Sequence, residues 1–275
     1  MIAKGKEGRK MTQAKAERIA MNKEAFAKID MTKVYWLGGG GAMINSRGTV
    51  ILIDPLLKGF DMKILTDAPL LPEDVPHADA VIITHCDNDH FSKPTLTEIK
   101  DRVDEVHTTH YVAELCKEIG IGAKGHDIHD SFMINDVKIT LTPADHAWQN
   151  MSPKHSAIRH FEMEDFCGFR VETKDGVIWM PGDSRLMPVQ LTYDQPDLIL
   201  MDISDGSWHI GLAGVDKLAA AYPESYLLPI HWGCVRSDWR EFNGDPEVVR
   251  SRIVNPERLH AVPCGQAVRL EKLAK

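Results

Sequence analysis

The stretch HCDNDH, residues 85–90, constrains this chain more than any other. Two histidines and two aspartates, His85, Asp87, Asp89 and His90, follow directly on the apolar run Ala80, Val81, Ile82, Ile83. Such a run reads as a buried strand, so its end delivers four metal-ligating side chains to one place. Polar groups set side by side against a core are costly unless a positive charge compensates them, and a metal ion is the commonest such charge. Taken alone the stretch has a plainer reading, in which Asp87 or Asp89 caps a helix beginning near Lys93. A metal site needs further ligands from elsewhere in the chain, and a cap does not.

Three more segments supply them. Asp145 and His146 in LTPADHAW, Asp183 in VIWMPGDS and His231 in YLLPIHWG each end an apolar run. Strand ends gathered on one edge are where layered folds assemble their sites. Asp54 in ILIDP has the same position but reads as a brace for a turn or a ligand. His107, His110, His126 and His129 have no strand-end partners and read as surface or core histidines, and Cys86 as a packed thiol.

The order of elements follows from periodicity and turn signals. Residues 33–54 form a β-meander through the glycine run 38–41, which precedes no helix and so is not a phosphate-binding loop. Strand-then-helix units follow over 80–119, antiparallel strands over 131–180, and a second strand-then-helix series from 197, with a helix capped by Asp245 and opened by Pro246. This alternation predicts two sheets packed face to face with helices outside. Residues 11–29 are rich in Ala, Lys and Glu, with Ile19, Phe26 and Ile29 near helical spacing. They predict a charged N-terminal helix packed on the body or on a neighbouring subunit of a homo-oligomer. The chain divides accordingly into a helical extension, 1–32, and one domain, 33–275.

With 275 residues, 43% of them hydrophobic, the chain can bury a large core. A net charge of -8 argues against nucleic acid or an anionic membrane as partner. The N-terminal residues show neither a signal peptide nor a membrane span. Five scattered cysteines without a CxxC pair read as reduced thiols, hence a cytoplasmic protein.

The order HxDxDH, His, GDS, His resembles the metallo-β-lactamase fold superfamily, whose usual first motif is HxHxDH. Within it, WLGGGGAMI, PGDS and LLPIHWG followed by DWREFNGDPEVV resemble the L-ascorbate-6-phosphate lactonase family, and LTPADHAW is similar to a phospholipase D branch that hydrolyses N-acyl phosphatidylethanolamines. The resemblance spans roughly residues 33–270. It implies an α/β (α+β) four-layer αββα sandwich and a dinuclear metal site. His85, Asp87 and His146 would hold one ion, Asp89, His90 and His231 the other, and Asp183 would bridge. Asp87 departs from the usual histidine, and its hard oxygen favours Mn²⁺ or Fe over Zn²⁺.

The implied chemistry is hydrolysis by hydroxide generated at two metals, with Asp89 or Asp183 returning the proton to the leaving group. Residues 147–166 are too long for a hairpin and border the cleft, offering Trp148, Gln149, Asn150, Lys154, His155, Arg159 and His160. As an anion-binding loop this segment offers Trp148, Lys154, Arg159 and His160 to an anionic, sugar-like lactone, with Asp205, Trp208 and His209 as further pocket groups, and its composition fits a solvated lid equally well. A phosphodiesterase is the alternative, favoured if this loop is apolar in space. A non-hydrolytic di-iron redox protein is a third reading, weakened because such relatives carry a flavin domain.

Overall fold

A computed structural model describes residues 13–236 and 244–272. Thirteen named strands run in chain order: β1 Thr32–Gly38, β2 Gly41–Ser46, β3 Thr49–Ile53, β4 Ala78–Ile82, β5 Val103–Thr109, β6 Lys124–His126, β7 Ser131–Ile134, β8 Val137–Pro143, β9 Cys167–Thr173, β10 Gly176–Met180, β11 Leu198–Asp202, β12 Tyr226–Ile230 and β13 Ala267–Arg269. They form two sheets, ordered β13-β1-β2-β3-β4-β5-β6 and β12-β11-β10-β9-β8-β7. Each sheet is antiparallel at one end and parallel at the other, with β3 to β6 parallel in the first and β10 to β12 in the second.

Alternation along the strands explains the layering. In the first sheet Val34, Trp36, Ile44, Ile51, Ile53 and Ile82 face the second sheet, where Ile139, Leu141, Phe169, Val171, Ile178 and Leu200 meet them. The intervening residues, among them Leu37, Met43, Leu52 and Val81, face outward and pack with Leu96 and Ile99 of α1 (Lys93–Ile99) and with Val112 and Cys116 of α2 (His110–Glu118). After the single-turn helix α3 (Pro153–Ser156), α4 (Gly211–Ala221) covers the outer face of the second sheet through Val215 and Leu218, and α5 (Pro246–Arg250) through Val249. Both faces of both sheets are thus apolar, which fixes four layers, αββα. Asp245 caps α5 with Pro246 at its first position, as the sequence predicts.

The N-terminal helix is a correction. Residues 13–22 run extended, and only Lys23–Phe26 makes a 3-10 turn. Their backbone groups are bonded to the body instead of to one another: Ala16 N–H donates to Gly233 O, Ile19 N–H to Cys264 O and Met21 N–H to Pro69 O. Helix propensity is a weak prior, and these tertiary bonds override it. The segment is a strap on the domain, not an appended helix. Residues 1–12 of the expected extension, and 238–243 of the DWREFNGDPEVV stretch, lie outside the described residues. Among the described residues no helix is long and apolar enough to cross a membrane. All five cysteines are free, as expected.

Candidate metal centre

The four ligand-bearing segments meet at the carboxyl ends of the strands. Residues 85–90 follow β4, His146 follows β8, Asp183 follows β10 and His231 follows β12. The capping alternative falls away, because the side chain of Ser92 accepts the hydrogen bond at the start of α1. That leaves Asp87 and Asp89 for other work.

His85, His146 and Asp183 bring ligand atoms within 4.8 Å of one another, and so do Asp89, His90 and His231. Asp87 Oδ2 lies 3.4 Å from His85 Nε2 and 3.3 Å from His146 Nε2. Asp183 stands between the groups, with Oδ1 3.0 Å from His231 Nε2 and Oδ2 3.3 Å from His90 Nε2. The seven residues expected as ligands are therefore adjacent. Burial opposes ionisation of Asp183, but His231, His90 and His209 around it hold its carboxyl well below the usual range. Asp87 is likewise held well below that range against its burial, by His146 and His85. His90 moves the other way, since Asp183, Asp89 and Asp54 outweigh its burial.

The donors fit metal ions. His85 Nε2, His90 Nε2, His231 Nε2 and Asp183 Oδ1 are buried and complete no hydrogen bond, although carboxylate and imidazole atoms stand 3.0–3.4 Å apart there without the geometry of one. An unpaired buried polar atom costs about 1–3 kcal/mol, so four at one place call for a shared ligand. The mix of imidazole nitrogen and carboxylate oxygen suits a first-row divalent ion. Gly40 makes the close approach possible, because a Cβ there would stand 2.5 Å from His90 Cε1 and 2.7 Å from His231 Nε2.

Outer contacts orient these ligands. Asp54, fully buried, accepts from His90 Nδ1 at 2.7 Å, from Thr84 Oγ1 at 2.6 Å and from Thr84 N at 2.8 Å, while Thr84 Oγ1 also lies 2.9 Å from His85 Nδ1. Asp54 is thus a brace for His90. Asp54 and His231 both adopt left-handed backbone, φ 45° and 58°, a conformation costing roughly 1–3 kcal/mol that turns strand-end side chains inward. Asp202 and His209 form a further buried pair at 2.5 Å, with His209 Nδ1 3.6 Å from Asp183 Oδ2. Burial lowers the His209 pKa, but Asp202 and Asp183 overcome it and push it up to about 9. Sequence reasoning gave His209 little weight and passed over Asp202, although Asp202 also ends an apolar strand. Asp205 instead accepts from Leu212 N, and Asp145 pairs with Arg185.

The long segment after His146 contributes differently from expectation. Gln149, fully buried, donates to Asp87 Oδ1 at 2.5 Å, and His155 Nε2 is 3.6 Å from the same oxygen. Trp148 stacks on Trp208 with ring centroids 4.6 Å apart, and its indole N–H lies 2.8 Å from His146 Nε2. Arg159 pairs with Asp165 at 3.2 Å, and its guanidinium covers the Tyr111 ring at 4.2 Å. His160 is exposed and 3.9 Å from Glu162, and Lys154 is exposed. None of Lys154, Arg159 and His160 joins the ligand clusters. Cys86 lies beside Gln149 at 3.9 Å, its thiol pushed up to about 12 by burial.

Comparison with known proteins agrees with this geometry. Residues 49–232 match the beta-lactamase superfamily domain. Among curated relatives, a UPF0173 metal-dependent hydrolase of Methanosarcina barkeri is 24% identical over 216 residues, covering 76% of this chain and 88% of its own. A second, from Pelotomaculum thermopropionicum, is 25% identical over 233 residues, covering 82% and 97%. The crystal structure of a possible metal-dependent hydrolase from Veillonella parvula superposes with a TM-score of 0.70 at 19% identity, over 87% of this chain and all of that one. With the family match spanning most of the chain and the αββα layers around strand-end ligands, this protein belongs to the beta-lactamase superfamily domain family, with a metallo-β-lactamase fold.

Proposed function

We propose that this metal-dependent hydrolase opens a small carboxylic ester, most simply a lactone. The observation that carries the reading is the convergence of four buried donor atoms that complete no hydrogen bond at the strand ends. His85, Asp87 and His146 would hold one divalent ion and Asp89, His90 and His231 a second, with Asp183 shared. Ions bound there supply a Lewis acid for a carbonyl oxygen and lower the pKa of water. Asp183, where the two clusters meet, is one carboxylate placed to take the proton of the attacking water and return it to the leaving alkoxide. Asp89, with 26% of its side chain exposed, is the other carboxylate open to that role.

Charge favours the ester over the phosphodiester. The ion pairs of Asp54, Asp87, Asp89, Asp183 and Asp202 are all to imidazoles, and Arg159 is spent on Asp165. Phosphate recognition ordinarily draws on Arg or Lys, whereas a neutral carbonyl needs neither. A phosphodiester bearing an apolar chain is the second reading, favoured by Met151 and Ile158, 82% and 65% exposed on the loop beside the site.

One experiment separates these readings. Protein stripped by a chelator is given Mn²⁺, Fe²⁺ or Zn²⁺, its metal content is measured, and lactones and phosphodiesters are assayed in parallel. The oxygen of Asp87 predicts two ions per chain and more lactone hydrolysis with Mn²⁺ or Fe²⁺ than with Zn²⁺. Hydrolysis of phosphodiesters alone would replace the ester reading, and two bound ions with neither activity would remove both.

A further inference from the structure

The glycine run 38–41 is only partly explained by the close approach of Gly40 to the imidazoles. Gly39 has φ +52°, and nothing lies within 4 Å of where its Cβ would stand. The space above it belongs to a cleft of about 320 Å³ between the β1–β2 turn, residues 56–71 and the segment after β12. This is the lower end of the size range of small-molecule sites. Leu56, Leu57, Phe60, Ile64 and Val235 are among its walls. Of the charged residues in the lining, Lys58 pairs with Glu98, while Arg18, which donates to Ala68 O, and Asp67 carry opposite signs.

Two features make this a built site. The walls are tied together: Leu65 N–H donates to Cys234 O and Arg236 N–H to Lys63 O, both at 2.8 Å, around the bridge of Ile64 with Val235. A second cavity, of about 20 Å³, lies between the cleft and the candidate metal centre. It shares Gly39, Leu56, Phe60, Cys234 and Val235 with the cleft, and is lined as well by the ligand residues Asp89 and His231.

We infer that this cleft receives an uncharged, apolar part of the substrate, a short alkyl chain or small ring, while the scissile carbonyl lies at the Asp89 and His231 end. The inference rests on the hydrolytic reading of that centre. It places substrate selection on the side of residues 56–71 and 234–235, opposite the expectation that the 147–166 loop selects an anion.

The test uses γ-lactones with side chains from methyl to pentyl, and the matching 2-alkyltetrahydrofurans, which cannot be hydrolysed. Burying each added methylene predicts a rise of roughly four-fold in kcat/KM for the lactones and in affinity for the ethers, read by calorimetry on the metal-loaded protein. Val235→Trp and Ile64→Trp fill the cleft from adjoining strands of its wall, and each is expected to flatten both series. If ethers bind with this chain-length dependence but no lactone is hydrolysed, the cleft stands and the hydrolytic reading falls. If lactones are hydrolysed with no chain-length dependence and the ethers do not bind, the cleft inference is overturned and the hydrolytic reading stands.

Discussion

The two halves of the centre are built from different materials. Asp89, His90 and His231 rest on the sheets: His90 is held by Asp54 and Thr84, both fully buried, and His231 is fixed by Gly39 O on its N–H and by Ser204 Oγ on its carbonyl. Asp87 and His146 lean on the long loop, where Gln149 and His155 meet Asp87 and Trp148 lies on His146 Nε2, while His85 shares Thr84 with the other half. His85, His90 and His231 all keep their inward nitrogens free of hydrogen bonds, and His146 alone must first be released by an indole. Ligands set by sheet ends are preorganised, and those set by a loop carry the cost of arranging it. The sheet-backed half should fill first and the loop-backed half second.

The residue that joins the halves gives the largest effect. Asp183→Ala should remove the shared carboxylate, lower metal content at both positions and reduce kcat/KM by on the order of 10³. Full activity with two ions per chain in that variant would show that the halves do not share it. A smaller effect should separate them. Asp54→Asn loosens His90, and second-sphere changes of this kind weaken binding by about 10- to 100-fold. The loss should fall on the first ion bound. Gln149→Ala should weaken only the second ion, by about 10-fold. Stepwise Co²⁺ titration followed by absorbance reads both steps, and equal losses in both variants would erase the distinction between the halves.

The smallest effect lies away from the centre, where histidines have a plain structural role. His107, 2% exposed, lies beside His126 with Nδ1 2.8 Å from His126 Nε2, and Phe132 stacks across both rings. Burial lowers its pKa below 6.5, partly opposed by Glu105, and burial lowers that of His126 as well. The unfolded chain therefore binds protons that these rings refuse, so their stabilisation is present above about pH 6.5 and is lost as the pH falls toward the lowered folded values. His107→Gln should make chemical-denaturation stability less dependent on pH between 7 and 5. An unchanged slope would place the titration elsewhere.

What could be read from sequence follows the same division. The gathering of His and Asp at the strand ends was legible because short apolar runs announce buried strands and each run ends in His or Asp. Asp54 was legible as a brace for that reason, and Asp202 carried the same signal. The N-terminal strap was not legible, since Ala, Lys and Glu spell a helix and only Gly233, Cys264 and Pro69, far along the chain, supply the competing partners. The roles of Gln149 and Arg159 were equally hidden. Both lie in a polar loop where composition offers an amide and a cation, and whether each turns to Asp87 or to Asp165 depends on packing. The apolar cleft joins residues near 39, 60 and 235, and no local pattern announces such a meeting.

The central claim is that these strand ends hold two ions in two unequal half-sites. Anomalous diffraction from crystals of the metal-stripped protein soaked in graded Mn²⁺ tests it directly. The account predicts a peak first among Asp89, His90 and His231, then a second among His85, Asp87 and His146, with Asp183 contacting both. A single peak at saturating Mn²⁺, or filling in the reverse order, would contradict it.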